Sequence, residues 1–219
     1  MQLVQGNLTQ APFKFSWYKL NTKCIIALGN PGQEFRDTRH NVAQRVFSEL
    51  ERHSVLSWET KQKLYAEICF WIPNGSKKKF MLIKPTVYMN ESGKTVNNLC
   101  AYFGIESDNI IVIHDELDLA PGTAKIQFGG GAAGHNGVLD IYKSLRNKKF
   151  KRLRIGVGHP RALGLHQSVS NFVLQRPSEV EGKAIEKIVK FCSNFLVEIC
   201  EMSSIEANSY LQQGVREWG

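Results

Sequence analysis

The chain has 219 residues, 42% of them hydrophobic and 22% charged, with 28 basic against 20 acidic side chains and a formal net charge of +8. This is enough apolar material for a packed core and too little bias for disorder, collagen or a coiled coil; no run approaches the roughly 20 apolar residues of a bilayer span, and the opening residues lack the apolar stretch of a secretory signal. Five cysteines without a CxxC pair argue against a disulfide framework or a zinc module, so a soluble cytoplasmic protein is expected, and the positive charge favours a polyanionic partner.

Residues 1–23 contain Lys14, Lys19 and Lys23 but no acid, and their aromatics follow no clear period. They are expected to be an appendage to a single domain over residues 24–219. An organelle transit peptide would also be poor in acids, but this segment has no Arg and little Ser. Organised structure is expected from Cys24-Ile25-Ile26-Ala27-Leu28, a buried strand closed by the turn Gly29-Asn30-Pro31-Gly32. From Asn41 to about Leu56, Val42, Val46, Phe47 and Leu50 recur at helical spacing. Leu64 to Ile72 and Lys79 to Ile83 read as two strands around Pro73-Asn74-Gly75-Ser76. Val96, Leu99, Cys100 and Phe103 share one helical face, and Gly104 stands where a C-terminal cap belongs. Ile110 to Ile113 is a continuous apolar run, the mark of a strand covered on both faces. Thr123 to Phe128 is a further strand, followed by the glycine-rich stretch 129–134, a helix from about Asn136 to Arg146, a strand from Arg152 to Val157, and two helices at about Ser178–Cys200 and Ile205–Gln213. This order predicts an α/β domain around a mixed, largely buried sheet.

The charge is unevenly distributed. Between Ile141 and Ser178 there are nine Lys or Arg residues and no acid, so this segment alone exceeds the whole net charge.

Several common motifs fail. Gly93-Lys94-Thr95 could end a phosphate-binding loop, but the position of its first glycine is Tyr88. Gly129, Gly131 and Gly134 satisfy GxGxxG, yet the stretch about 20 residues on is basic where a dinucleotide fold needs an acid. There is no GxSxG elbow and no HExxH pair, and His114-Asp115-Glu116 lacks a second histidine at chelate spacing.

What remains is positional. Asn30, Asn90 and Asp115 each follow an expected strand, and His135-Asn136 follows the glycine loop, at the carboxyl ends where α/β sheets build their sites. Taken singly, each is equally a turn former, a cap or a satisfied loop residue. His40, at the start of the first long helix, is either a first-turn surface residue or a proton acceptor. Paired with Asp115, whose carboxylate would fix its tautomer, it would activate water while Asn amides position the carbonyl, which amounts to a hydrolase without a metal.

The motifs together resemble the bacterial-type peptidyl-tRNA hydrolase family. The resemblance is carried by Gly29-Asn30-Pro31-Gly32, Thr38-Arg39-His40-Asn41, Lys84-Pro85-Thr86 with Tyr88-Met89-Asn90-x-Ser92-Gly93, His114-Asp115-Glu116-Leu117-Asp118, Pro121-Gly122, the glycines of 129–137, and Arg152-Leu153-Arg154-Ile155-Gly156-x-Gly158-His159-Pro160, in order over roughly residues 24–200. It implies one α/β domain with a twisted mixed sheet flanked by helices, monomeric and without metal or organic cofactor, which cleaves the ester between a peptide and the 3′ end of tRNA and so recycles tRNA from aborted translation. It further implies His40 as the base, Asp115 as its partner, Asn30 and Asn136 holding the peptide and terminal nucleotide, Asn90 placing the water or carbonyl, Met89 lining the cleft and Arg154 binding a phosphate, with Lys125 a nearby positive charge. Four positions depart from the family's habit. Phe35 stands where Tyr is common and keeps stacking without the hydroxyl; Ala132-Ala133 replaces His-Gly or Ser-Gly; Gln127 and Leu139 stand where basic residues are frequent. These leave open a homologue that binds structured RNA as a chaperone or splicing factor, although the complete His40, Asp115 and Asn set favours the enzyme.

Overall fold

The computed structural model describes residues 22–218. Nearly all of the expected N-terminal appendage, residues 1–21, therefore lies outside the described residues, while Lys23 is already the first residue of a strand. Seven strands form one sheet: β1 (Lys23–Ala27), β2 (Glu59–Lys61), β3 (Ala66–Trp71), β4 (Phe80–Pro85), β5 (Ile110–Glu116), β6 (Ala124–Phe128) and β7 (Lys151–Gly156), in the order β2-β3-β4-β1-β5-β7-β6. The four central strands are parallel and both margins are antiparallel. This division follows from composition. β1 and β5 are continuous apolar runs buried on both faces, whereas the marginal β2 and β6 carry exposed polar residues.

The helices are α1 (Val42–Leu50), α2 (Ser92–Phe103), α3 (Asn136–Leu145), α4 (Val169–Val173), α5 (Glu179–Asn194), α6 (Leu196–Glu201) and α7 (Ser204–Glu217). Alternation along the strands sorts the core into two halves. Ile25, Ala27, Ile111, Ile113, Leu153 and Ile155 face α1, α5, α6 and α7, and Cys24, Ile26, Leu28, Met81, Ile110 and Val112 face α2 and α3. Among the described residues no helix is long and apolar enough to cross a membrane.

Several boundaries differ from the sequence reading, and α7 runs on to Glu217 rather than ending near Gln213. α1 stops at Leu50, the last residue of its apolar face, rather than near Leu56. The helix expected over 178–200 breaks at Phe195, whose φ of −115° and ψ of 26° leave the helical region, so α5 and α6 are separate. The Ile110 strand continues through His114 and Asp115 to Glu116, which puts the polar tripeptide inside β5. The short β2 and α4 went unpredicted because three and five residues carry no period. The open edge of β6 is covered by α7: the Asn208 amide accepts from Ile126 N–H at 2.8 Å and donates to its carbonyl at 2.9 Å, standing in for a strand.

The chain leaves β1 toward β4 on one side and returns to β5 on the other, so the ends of β1 and β5 border the crevice of an α/β sheet. α2 and α3 pack closely beside it. The Asp140 carboxylate on α3 accepts from Gly93 N–H on α2 at 2.8 Å, and a Cβ at Gly93 would lie 2.4 Å from the Asp140 carbonyl oxygen. Alanine is favoured over glycine within a helix by roughly 1 kcal/mol, but a backbone clash of this depth outweighs it. Gly93→Ala is expected to lose about 2 kcal/mol net, read as a fall in Tm of roughly 4–8 °C by calorimetry.

Candidate active site

β5 ends on the carboxylate that organises the site. Asp115 continues the alternation of Ile111 and Ile113, so its side chain leaves the sheet toward the layer of α1, where a 3-10 turn, Arg39–Asn41, precedes the helix and carries His40. His40 Nδ1 lies 2.9 Å from Asp115 Oδ1. From the opposite layer, His135 at the N-terminus of α3 places Nε2 2.8 Å from the same oxygen. The two imidazoles are 5.1 Å apart between centroids.

The hydrogen bonds fix the tautomers. His135 Nδ1 accepts from Val138 N–H at 3.3 Å, capping α3, so its proton is on Nε2 and is donated to Asp115. An ionised Asp115 is an acceptor only, so His40 donates through Nδ1–H and keeps a lone pair on Nε2. His40, Asp115 and His135 bring three ligand atoms within 4.8 Å of one another, yet the hub does not suit a metal ion. For Nε2 of His135 to ligate, the ring proton would move to Nδ1 and confront Val138 N–H, donor against donor.

Electrostatics agree with this hub. Burial would lower the His40 pKa, but the Asp115 carboxylate and its hydrogen bond outweigh burial and raise it above the ordinary 6.5. Burial would likewise raise Asp115, but His40 and His135 hold its carboxyl well below the usual range. By linkage, protonated His40 stabilises the fold below pH 6.5, a contribution lost as pH rises through its folded pKa, whereas the Asp115 contribution is lost as pH falls.

The neighbouring loops are pinned. Asn41 and Asn30 pair reciprocally, with Asn30 N–H donating to Asn41 Oδ1 at 2.9 Å and Asn41 Nδ2 to the Asn30 carbonyl at 2.8 Å. Asn30 Oδ1 accepts from Met89 N–H at 2.8 Å, which turns its NH₂ away from Met89. Buried Arg39 joins the His40 turn to the opposite wall: it donates to the carbonyls of Phe172 at 3.2 Å and Arg176 at 3.0 Å, and pairs with Glu181 at 2.8 Å. Its guanidinium also stacks 3.9 Å from the Phe172 ring. Glu181 closes a capping box with Ser178 that starts α5, so one carboxylate serves both the helix and the clamp.

The result is a cleft of about 720 Å³ that brings His40 and Asp115 together with Asn30, Met89, Asn90 and Asn136. Asn90 and Asn136 are exposed and Met89 is buried beneath them. Phe35 is not among the lining residues; it meets the lining residue Tyr88 edge-on at 6.4 Å. Lys125 and Arg154 stand opposite each other on β6 and β7, outside the cleft. Lys125 is exposed, whereas Arg154 is already engaged by Glu116 at 2.8 Å and by Gln127 Oε1 at 2.7 Å. Two features were missed in sequence: the donation of His135 to Asp115, and the wall formed by Val169, Ser170, Val173 and Leu174.

The acid-free segment divides between surface and interior. Arg152 is fully buried and Lys151 donates to the carbonyls of Cys200 and Met202, whereas Arg161 and Arg176 are exposed, the latter paired with Asp37. Lys143, Arg146, Lys148 and Lys149 are exposed, but at the far end of α3, about 15 Å along the helix from His135.

The chain matches the family model described as peptidyl-tRNA hydrolase over residues 24–216. It is 40% identical over 190 residues to the peptidyl-tRNA hydrolase of Haemophilus influenzae, an alignment covering 86% of this chain and 95% of that one. It is 40% identical over 185 residues to that of Chromohalobacter salexigens, covering 83% and 91%. The crystal structure of peptidyl-tRNA hydrolase from Acinetobacter baumannii superposes with a TM-score of 0.72 at 30% identity, covering 90% of this chain and 91% of that one.

Replacing the shared carboxylate tests the hub without reference to turnover. In Asp115→Asn the burial of His40 persists while the opposing charge is gone, so its pKa is expected to drop from above 6.5 to below it. NMR titration of the His40 ring measures the change, and a pKa that stays above 6.5 would mean that Asp115 is not its cause.

Proposed function

The chain belongs to the peptidyl-tRNA hydrolase family and is a hydrolase of the ester bond of peptidyl-tRNA, and from that premise we propose that His40 is its general base and Asp115 the residue that orients it. The observation that carries this reading is the bond from His40 Nδ1 to Asp115, which leaves Nε2 as a lone-pair acceptor in the cleft. Nε2 takes a proton from water, and the resulting hydroxide adds to the ester carbonyl. The tetrahedral intermediate then collapses with departure of the terminal ribose oxygen, which recovers the proton from the imidazolium. Asp115 stabilises that imidazolium and remains ionised throughout.

The amides have roles suited to a charge that develops on one oxygen. Asn90, exposed at the cleft, places the water or donates to the carbonyl oxygen as it becomes an oxyanion. Asn30, with its NH₂ released by the bond to Met89, and Asn136 hold the peptide and the terminal nucleotide, and Met89 supplies an apolar floor. Phe35 acts at second hand, by setting Tyr88 on the rim. No step needs a metal or organic cofactor, because the base, its orienting acid and the amide donors account for each proton and charge. Lys125 contacts backbone phosphate, joined by Arg154 where a phosphate displaces Gln127 from its guanidinium. The protein works as a cytoplasmic monomer, one domain over residues 24–219. The structured-RNA-binding reading is not favoured, since the departures at Phe35, Gln127, Ala132-Ala133 and Leu139 leave the His40 and Asp115 pair intact.

His40→Ala is expected to lower kcat by about 10²- to 10⁴-fold with tRNA affinity nearly unchanged, because a base acts on the transition state. The wild-type rate should rise with pH through a midpoint above 6.5, since the base must be deprotonated. Release of free tRNA from purified peptidyl-tRNA, with a chelator present, measures both and tests the metal-free mechanism; a fully active variant, or a rate abolished by the chelator, would refute the assignment. Separately, Lys125→Ala should reduce the slope of log affinity against log salt by about 0.7–0.9, and equal slopes for variant and wild type would remove Lys125 from the phosphate path.

A further inference from the structure

Arg152 has no exposed surface, although it is the second residue of β7 and carries a full positive charge. Its guanidinium is held by dipoles. Nη2 donates to the carbonyls of Gly129 at 2.7 Å and Gly131 at 2.9 Å, Nη1 lies 3.4 Å from His114 Nε2, and Nε has no partner among the described residues. The nearest carboxylate acting on it, that of Glu116, is bonded to Arg154 instead. A guanidinium taken out of water without a bonded counter-ion is unfavourable, and packing alone would be served better by an apolar side chain.

What the guanidinium holds is a strained loop. Gly129, Gly130, Ala133 and Gly134 all have positive φ, at 62°, 81°, 47° and 78°. Ala133 gains nothing from glycine's freedom at such an angle. A conformation of this kind persists where its surroundings over-determine it, and a rigid guanidinium whose Nη2 holds two loop carbonyls while Nη1 reaches His114 does so. Tyr142 adds a third tie by donating its hydroxyl to the Gly130 carbonyl at 3.0 Å.

The loop delivers His135 to Asp115. His114 completes the path from the clamp to that contact. Its Nδ1–H donates to the Asp115 backbone carbonyl at 2.6 Å, which leaves Nε2 to accept from Arg152. Its ring stands edge-on to that of His135, 4.8 Å between centroids. Burial, with His135 and the Arg152 guanidinium beside it, keeps the His114 pKa well below 6.5, so it remains an acceptor through the working pH range.

We infer that Arg152 and His114 are positioning residues of the hydrolase: by clamping the glycine loop they fix the bond from His135 to Asp115, and so set how much of that carboxylate is left to His40. The inference rests on the acid–base reading of His40 and Asp115. If the clamp loosens, Asp115 loses one of its two donors at Oδ1, its charge concentrates on His40, and the base becomes harder to deprotonate. Asp115 and His135 face His40 directly, and Tyr88, Glu116, Asp118 and His159 are the other ionisable groups lining the cleft; none of these is altered in the variants that test the clamp.

Arg152→Lys keeps a charge but loses the fork, His114→Leu keeps bulk but loses the acceptor, and His114→Gln restores an acceptor. In the first two, kcat on peptidyl-tRNA should fall about 10- to 100-fold with KM within about twofold, and the acid limb of kcat/KM should move to higher pH; His114→Gln should return both toward wild type. An acid limb that does not move, whether or not activity is lost, or a defect confined to KM, overturns the inference. Should Arg152→Lys fail to fold, the two His114 variants decide. NMR titration of His40 in substrate-free protein reads the same shift without turnover, and is expected to show a higher pKa in His114→Leu than in wild type. A shift there, in a protein whose wild type does not release tRNA, would count against the functional reading and leave the clamp standing.

Discussion

A buried carboxylate oxygen that accepts from two imidazoles is the constraint on which the rest of the site depends. Asp115 leaves the sheet at the end of β5 with Oδ1 shared between His40 and His135, 2.9 and 2.8 Å away. Neither bond could be had cheaply on a flexible surface: an ionised acid with 3% of its surface exposed must be fully compensated. The two donors come from opposite layers of the sheet, His40 from before α1 and His135 from the cap of α3. Forming the hub therefore requires both layers to be seated, and the seated layers in turn leave His40 Nε2 with a lone pair.

The surrounding polar residues make sense as supports for that oxygen. Arg39 ties the His40 turn to the carbonyls of 172–176 and to Glu181, and Asn41 locks the Asn30 loop through its amide. Most of these contacts end on backbone groups. Side chains that hold backbone fix the path of a loop whatever the loop's own sequence, and this is how three successive residues, Arg39, His40 and Asn41, serve the opposite wall, the hub and the neighbouring turn.

Much of the fold was legible because its central strands are apolar runs that need no partner to be recognised. β1 and β5, and the faces of α1, α2 and α3, follow from periodicity, and the chemistry-bearing residues fall at the strand ends as the parallel topology requires. The missing parts have physical reasons. α4 is one turn and a half, too short for a period, and the break at Phe195 interrupts a face that stays apolar through Leu196 and Ile199. His135 was visible as a loop residue, but its bond to Asp115 joins positions 20 residues apart through the shape of a glycine loop. The basic 141–178 segment does not form one surface, because parity along β7 puts Arg152 and Arg154 on the face toward α3 while Leu153 and Ile155 take the other.

That parity also explains how the chain accommodates Gln127. Gln127 is directly opposite Arg152 across β6 and β7, and its Oε1 accepts from Arg154 at 2.7 Å. A cation at 127 would face two guanidiniums on the same sheet surface, a repulsion that directly opposed like charges incur across a strand pair. A neutral amide turns that repulsion into a hydrogen bond and leaves Glu116 as the counter-ion of Arg154. The absence of a positive charge at 127 is thus offset within the sheet rather than at Asp115. The same arrangement leaves Arg152 without a bonded carboxylate, free to spend its donors on the glycine loop and on His114. One neutral side chain at the sheet margin thus stands beside both arginines, bonded to Arg154 and directly opposite Arg152, which holds the loop that presents His135 to Asp115.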